Sequence, residues 1–499
     1  MQLRIFILIT LTLAAASCVS CGLRRTPNLE RIFAAARTRE GKRPVIIIPG
    51  ILGSQLVNAK TGEVVWPSVF RSSDDDLDLP TSSDLAANRD NLVAARILDV
   101  AKFARYSPEI YVYYDLLQAI ERFGGYREGS WDDPPANGDR DTFYVFAYDW
   151  RRDNVESARA LSRRVEELKR KLNRPDLRFN ILAHSMGGLV ARYAAMYGDA
   201  DLPSDAAALQ PTWAGARFIN KVFLFGTPSE GSAEAFASLL EGYSVTDGVR
   251  RRVGLLNKLA VGDVVTAPAA FQLMPHAGTE RFLDAHLRPL KVDLYDPATW
   301  RKYGWPTAER ISERIDEAQE ATGVAEKTDR SETYLAVVLG RAKLFHQALD
   351  AQPQGERPAP VRFFTFGGDC EETLVAPLLI EDGKRPGRWS TLFRPRKLRA
   401  IDGRRISRSE VTRAMFAAGD GSVTRSSLLG ENLRASAEAR STTRRFRSIT
   451  PSSPATHTAT SPTTRSCKTT RSRCSLAKPW IDLFLRLSFV FGRLLVFGR

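Results

Sequence analysis

Cysteine is scarce in this chain, with five in 499 residues and none between Gly22 and Asp369. The long middle must therefore hold together without disulfides, and no Cys/His cluster has the spacing of a zinc site. Beyond Cys18 and Cys21 only Cys370, Cys467 and Cys474 remain. Histidine is as rare, at five residues: His184, His276, His286, His346 and His457. That rarity restricts where a general base can come from. Acidic residues are outnumbered, for a net charge of +15, but the surplus is local. From Leu433 onward there are 13 Lys or Arg against 2 Asp or Glu, so +11 of it lies in the tail. The body is close to neutral and reads as an ordinary soluble enzyme rather than a nucleic-acid-binding protein. The basic tail lacks aromatics placed for base stacking, so no nucleic-acid partner is expected there either.

What is present begins with a targeting segment. Met1-Gln2-Leu3-Arg4 is a short basic n-region, and Ile5 to Ala16 is an apolar stretch too short for a permanent span. Ala15-Ala16-Ser17-Cys18 resembles a loose lipoprotein cleavage box, with Cys21 as a second candidate. A signal over residues 1–21 predicts export, either by plain secretion or with lipidation at the cell envelope of a bacterium.

The most informative stretch is Phe179 to Val190, Phe-Asn-Ile-Leu-Ala-His-Ser-Met-Gly-Gly-Leu-Val. It reads as a buried strand, a tight turn with Ser185 at its apex, and a helix. This is a nucleophile elbow, small-x-Ser-x-Gly, with Ala183 in the place usually held by the first Gly. The turn exposes the Ser185 hydroxyl and places the Met186 N–H beside a developing oxyanion. Upstream, Pro44 to Ile48 is a β-branched run suited to a strand buried on both faces, and Pro49-Gly50 ends it. The loop that follows is where such a fold keeps its second oxyanion donor, by position the N–H of Leu52.

Strand-like and helix-like segments alternate through the next part of the chain. Glu109–Phe123 is helical, Phe143–Trp150 a strand, Ser157–Leu172 an amphipathic helix, Arg178–Ala183 the nucleophile strand, and Ile219–Phe225 a further strand. This predicts an α/β fold with a mostly parallel, doubly wound sheet over residues 22–432. Two excursions interrupt it. A polar segment at about 58–91 reads as a lid, in which Trp66 either packs on a lipid chain or fills a core. Residues 229–360 read as a largely helical cap. The loop Gly419-Asp420-Gly421 then places Asp420 where an orienting carboxylate belongs in the chain order Ser, Asp, His. In that order only His457 can be the third member. It sits in Arg440–Thr470, a Ser/Thr/Arg/Pro-rich run without strand or helix pattern. Residues 433–499 thus read either as a natural disordered basic tail or as a frame-shift product beginning near Leu433.

Five pieces in fixed order resemble the lecithin:cholesterol acyltransferase family of the α/β-hydrolases. They are Pro49–Leu56 (Pro-Gly-Ile-Leu-Gly-Ser-Gln-Leu), Tyr148-Asp149-Trp150-Arg151, Ala183–Gly188 (Ala-His-Ser-Met-Gly-Gly), Gly226-Thr227-Pro228 and Gly419–Val423. The resemblance implies an α/β-hydrolase fold and acyl transfer from a (phospho)lipid ester to an alcohol or to water. It implies no cofactor and no metal. It gives Ser185 as nucleophile, Asp420 as triad acid, Leu52 and Met186 as oxyanion donors, and Trp66 as a lid-side aromatic. Two departures stand out. The lid region lacks the cysteines that pin it in the family's extracellular animal members, and the catalytic histidine has no close counterpart.

Overall fold

The computed structural model describes residues 33–35, 37–67, 77–98, 111–244, 258–276, 278–306, 324–351, 359–399 and 403–431. The expected signal, the tail and His457 lie outside the described residues. At the centre is a six-stranded sheet of β1 (Val45–Ile48), β2 (Arg127–Glu128), β3 (Thr142–Val145), β4 (Phe179–His184), β5 (Ile219–Phe225) and β6 (Arg362–Phe366). Their spatial order is β6-β5-β4-β1-β3-β2, and every pairing is parallel. The expected α/β-hydrolase class, a doubly wound parallel sheet, is what the chain forms.

The sequence of β1 explains why helices cover both faces. Alternate residues of a strand point to opposite sides. Val45 and Ile47 pack with Tyr113, Leu116, Leu117 and Ile120 of helix α1 (Tyr111–Arg122). Ile46 and Ile48 pack on the other side with Val155 and Leu161 of α2 (Asn154–Lys171) and Leu189 and Val190 of α3 (Met186–Tyr197). All four β1 side chains are buried, each contributing roughly 2 kcal/mol. From β1 in the middle of the sheet the chain goes out to the edge strand β2, returns through β3 beside β1, and then crosses to β4 on the other side. The loops after β1 and β4 therefore meet where the winding reverses, the place where open α/β sheets bind ligands.

Two elements begin or end differently from the sequence expectation. The strand expected over Phe143–Trp150 stops at Val145 because the next residues anchor other parts. Tyr148 Oη donates to Pro49 O at 2.9 Å, and Trp150 Nε1 donates to Ser54 O at 3.2 Å. Helix α2 begins three residues earlier than Ser157, at Asn154. Asp153 caps it by accepting from Val155 N, a short polar cap that apolar periodicity does not reveal.

The segment read as a lid is tied down where it is described. Ser54–Asn58, Val64–Trp66 and Leu92–Ile97 make a three-stranded antiparallel sheet. Leu77 and Leu79 are buried, and Leu79 N donates to Thr266 Oγ1 of the cap at 3.1 Å. Arg151, with no exposed side-chain surface, donates to both oxygens of Asp90 and of Asp149 and to Leu77 O. The Tyr-Asp-Trp-Arg segment is thus a bracket between the first strand loop and this segment.

Among the described residues the cap region contains α4 (Ala233–Glu241), three short helices and the long α5 (Val324–Asp350). It also holds strands Arg281–Leu283 and Pro289–Lys291. These join Leu378–Glu381 and Trp389–Leu392, from beyond β6, in one four-stranded sheet. The cap is therefore stitched from segments on either side of β6. The latter two strands form a hairpin whose tip carries Gly383 and Gly387. Among the described residues no helix is long and apolar enough to cross a membrane.

Candidate active site

Ser185 ends β4 and precedes α3 with φ of 50° and ψ of −124°. A non-glycine residue rarely holds a positive φ, and the strain is kept by tight packing on every side. Its N–H donates to Phe225 O at 2.7 Å, and its carbonyl accepts from Gly188 N at 2.9 Å. The neighbouring glycines are there for room. A Cβ on Gly187 would lie 2.3 Å from Pro49 O, and one on Gly188 would lie 2.0 Å from Thr227 Oγ1. A Cβ on Gly50 would lie 2.8 Å from Ser185 Cβ. The loop after β1 is thereby pressed against the elbow.

That loop is a second strained turn. Gly53 N donates to Gly50 O at 3.1 Å, and Leu52 within the turn has a φ of 63°. A branched side chain in the left-handed region costs about 1–2 kcal/mol. Two outside side chains hold the turn in place. Tyr113 Oη accepts from Gly50 N at 2.8 Å, and Trp66 Nε1 donates to Leu52 O at 3.0 Å. The N–H groups of Leu52 and Met186 have no hydrogen-bond acceptor among the described residues. Two amide donors without an acceptor among the described residues thus lie on adjoining turns beside a half-buried serine.

Trp66 itself is 2% exposed and stands edge-on to Trp150, with ring centroids 5.8 Å apart. Of the two roles open to it, the structure gives it the core one. Its indole packs and clamps the Leu52 turn, and no lipid-facing surface is left to it, because its polar edge needs the Leu52 carbonyl.

Asp420 reaches the same sheet edge on an arm grown from β6. Glu371–Leu374 pairs antiparallel with Phe416–Gly419, and Gly421 N donates to Thr373 Oγ1 at 2.9 Å. Asp420 Oδ1 accepts from Val423 N at 2.7 Å and Ser422 N at 3.0 Å. Oδ2 has no donor among the described residues, and it lies 3.5 Å from a Cβ built on Gly226. Burial raises the carboxyl above its usual range, outweighing the backbone N–H groups, those of Val423 and Ser422 first, that pull it down. A half-buried carboxylate with one oxygen anchored and no donor on the other among the described residues is suited to orienting a cationic partner.

His184, the residue before the nucleophile, turns its ring toward helix α1. Its Nδ1 is 2.7 Å from Tyr113 Oη, and its Nε2 is 3.9 Å from the Cβ built on Gly226. Burial pushes its imidazole down to about 4. His276 and His346 are buried together with rings stacked at 3.8 Å, and His276 Nδ1 stands 3.1 Å from Asp350 Oδ2. Burial, then His276 and Arg192, hold His346 well below its usual value. The structure thus brings together Ser185, Leu52, Met186 and the Asp420 arm. Missed from sequence were Tyr113, Trp66 as clamp, and Arg151 as bracket. The Tyr113 signal was weak, one tyrosine in an apolar helix pattern with no local partner. Among the described residues no group of His, Cys, Asp and Glu is arranged to hold a metal.

The comparisons bear on the same region. Residues 89–321 match the family described as lecithin:cholesterol acyltransferase. No curated protein sequence matches. Among solved structures, one titled "The crystal structure of Tle4-Tli4 complex" is similar at 15% identity and a TM-score of 0.42. That similarity covers 80% of this chain and 90% of the other.

Proposed function

We propose that this chain, similar over residues 89–321 to the lecithin:cholesterol acyltransferase family, is a serine-dependent acyltransferase or lipase acting on (phospho)lipid esters. The observation that carries the reading is the strained Ser185 elbow pressed against the equally strained Leu52 turn, with the Asp420 carboxylate on the same edge. In this mechanism Ser185 Oγ attacks the ester carbonyl while a histidine base takes its proton. The oxyanion is held by the N–H groups of Leu52 and Met186, each worth on the order of 3 kcal/mol in the transition state. The imidazolium returns the proton to the leaving alcohol, and an acyl-enzyme remains. A second alcohol or water then attacks it, with the proton passing back the same way. Asp420 orients the base and balances its charge. By chain order that base is His457.

A fluorophosphonate probe tests the reading. It should label the full chain, and Ser185→Ala should abolish the labelling. Incubation with phospholipid vesicles and a sterol or long-chain alcohol should yield a new ester beside free fatty acid. Fatty acid alone would indicate a lipase or carboxylesterase. A second reading is a non-catalytic lipid-binding protein, favoured by Asp420 Oδ2 having no donor among the described residues. A folded chain that binds vesicles but resists the probe would decide for it. Export through residues 1–21 belongs to the same proposal. Finding the full-length chain with an intact N-terminus in the cytoplasmic fraction would overturn it.

A further inference from the structure

The mechanism above uses neither Tyr113 nor His184, yet their polar atoms meet at the oxyanion turn. Gly50 N–H occupies one lone pair of the Tyr113 oxygen at 2.8 Å, leaving the phenolic proton for His184 Nδ1 at 2.7 Å. The rings stand edge to face, 5.6 Å apart at 77°. The neutral imidazole then carries its own proton on Nε2, toward Gly226. The chain of hydrogen bonds runs from the loop after β1, through α1, to the residue immediately before the nucleophile. It thereby links the two backbone turns that each supply one amide donor.

We infer that Tyr113 and His184 are positioning residues for acyl transfer: the Tyr113 hydroxyl, oriented by His184 Nδ1, holds the Gly50 end of the strained Leu52 turn so that its N–H meets the oxyanion. The inference rests on the acyl-transfer reading. It accounts for a polar pair placed against the apolar α1 face, where two methyl-bearing side chains would pack as well. Gly50 N–H would otherwise have no acceptor there, and the Leu52 turn would be free to relax toward a negative φ, taking its amide away from the serine.

The test uses the full chain with Tyr113→Phe and His184→Gln, a fluorophosphonate probe and a short-chain p-nitrophenyl ester. Tyr113→Phe keeps the ring and removes only the hydroxyl. The labelling rate and kcat per folded molecule should fall roughly tenfold or more, with KM nearly unchanged, in addition to the modest drop in thermal midpoint that an unpaired Gly50 N–H brings. A purely structural role would leave the rate per folded molecule intact whatever the midpoint does, and that result overturns the inference. Nitrogen NMR of labelled histidine gives an independent readout. His184 should show a protonated Nε2 and an accepting Nδ1 that changes in Tyr113→Phe, and a protonated Nδ1 overturns it. If the unaltered chain takes no label, the acyl-transfer reading falls and the positioning role with it. That result is distinct from a labelled parent with an indifferent Tyr113→Phe.

Discussion

At the scale of single residues, the site depends on side chains that never touch the reacting atoms. Trp66 is the clearest case, since its indole nitrogen is the hydrogen-bond donor to the Leu52 carbonyl. Trp66→Phe keeps most of the packing against Trp150 and leaves that carbonyl unpaired. The expected loss is about 1–2 kcal/mol of stability, read as a lower urea midpoint, together with slower labelling of Ser185. Labelling at the parent rate would separate the turn from the clamp. Ser185 itself was legible in the sequence because an elbow is local: strand, apex and helix lie within a dozen residues. Tyr113 and Trp66 were not, because their partners Gly50 and Leu52 belong to another element, and no residue pattern announces a contact of that kind.

At the scale of elements, β1, β4, β5 and α3 could be read from periodicity, since each buries a continuous apolar face. The bracket around Arg151 could not. A buried guanidinium between Asp149 and Asp90 looks in sequence like a charged loop, and the solvated reading is the default for charges. Only the fold shows that Asp90 comes back to meet it. Arg151→Leu strands two carboxylates, one of them mostly buried. It should cost about 3 kcal/mol or more. Amide exchange across 77–98 should quicken more than exchange in β4, and equal protection in both would mean that the segment is held by its apolar contacts alone. Asp420 is a mixed case. Its tight Gly-flanked turn was legible, whereas the arm that carries it, Glu371–Leu374 against Phe416–Gly419, pairs strands too short to stand out as a pattern.

At the scale of the whole molecule, two buried imidazoles tie folding to pH. His184 is lowered to about 4, and His346 is held well below its usual value. In the unfolded chain both take up a proton near 6.5, and in the folded chain they do not. The stability they allow is therefore fully present above that pH. It is lost as the pH falls from 6.5 toward about 4 for His184, and as the pH falls below 6.5 for His346. For His184 alone the loss is roughly 3 kcal/mol. Urea midpoints measured between pH 7.5 and 4.5 should fall steeply. The slope should flatten in His346→Gln, and a slope unchanged by that substitution would put the acid sensitivity elsewhere. The division of the cap across β6 belongs to this scale too. The sequence pattern predicts one helical insertion over 229–360, but strands from 281–291 and 378–392 share a sheet, so the insertion is completed by chain from beyond the last central strand.

The hairpin that completes that sheet ends in open solvent. A side chain grafted at Gly383 or Gly387 would meet nothing within 4 Å. Its two strands are already paired to each other below the tip. A foreign peptide spliced in beside Lys384 should therefore ride outward as a handle, leaving the carboxylate arm in register, and the spliced chain should still react with the probe at Ser185.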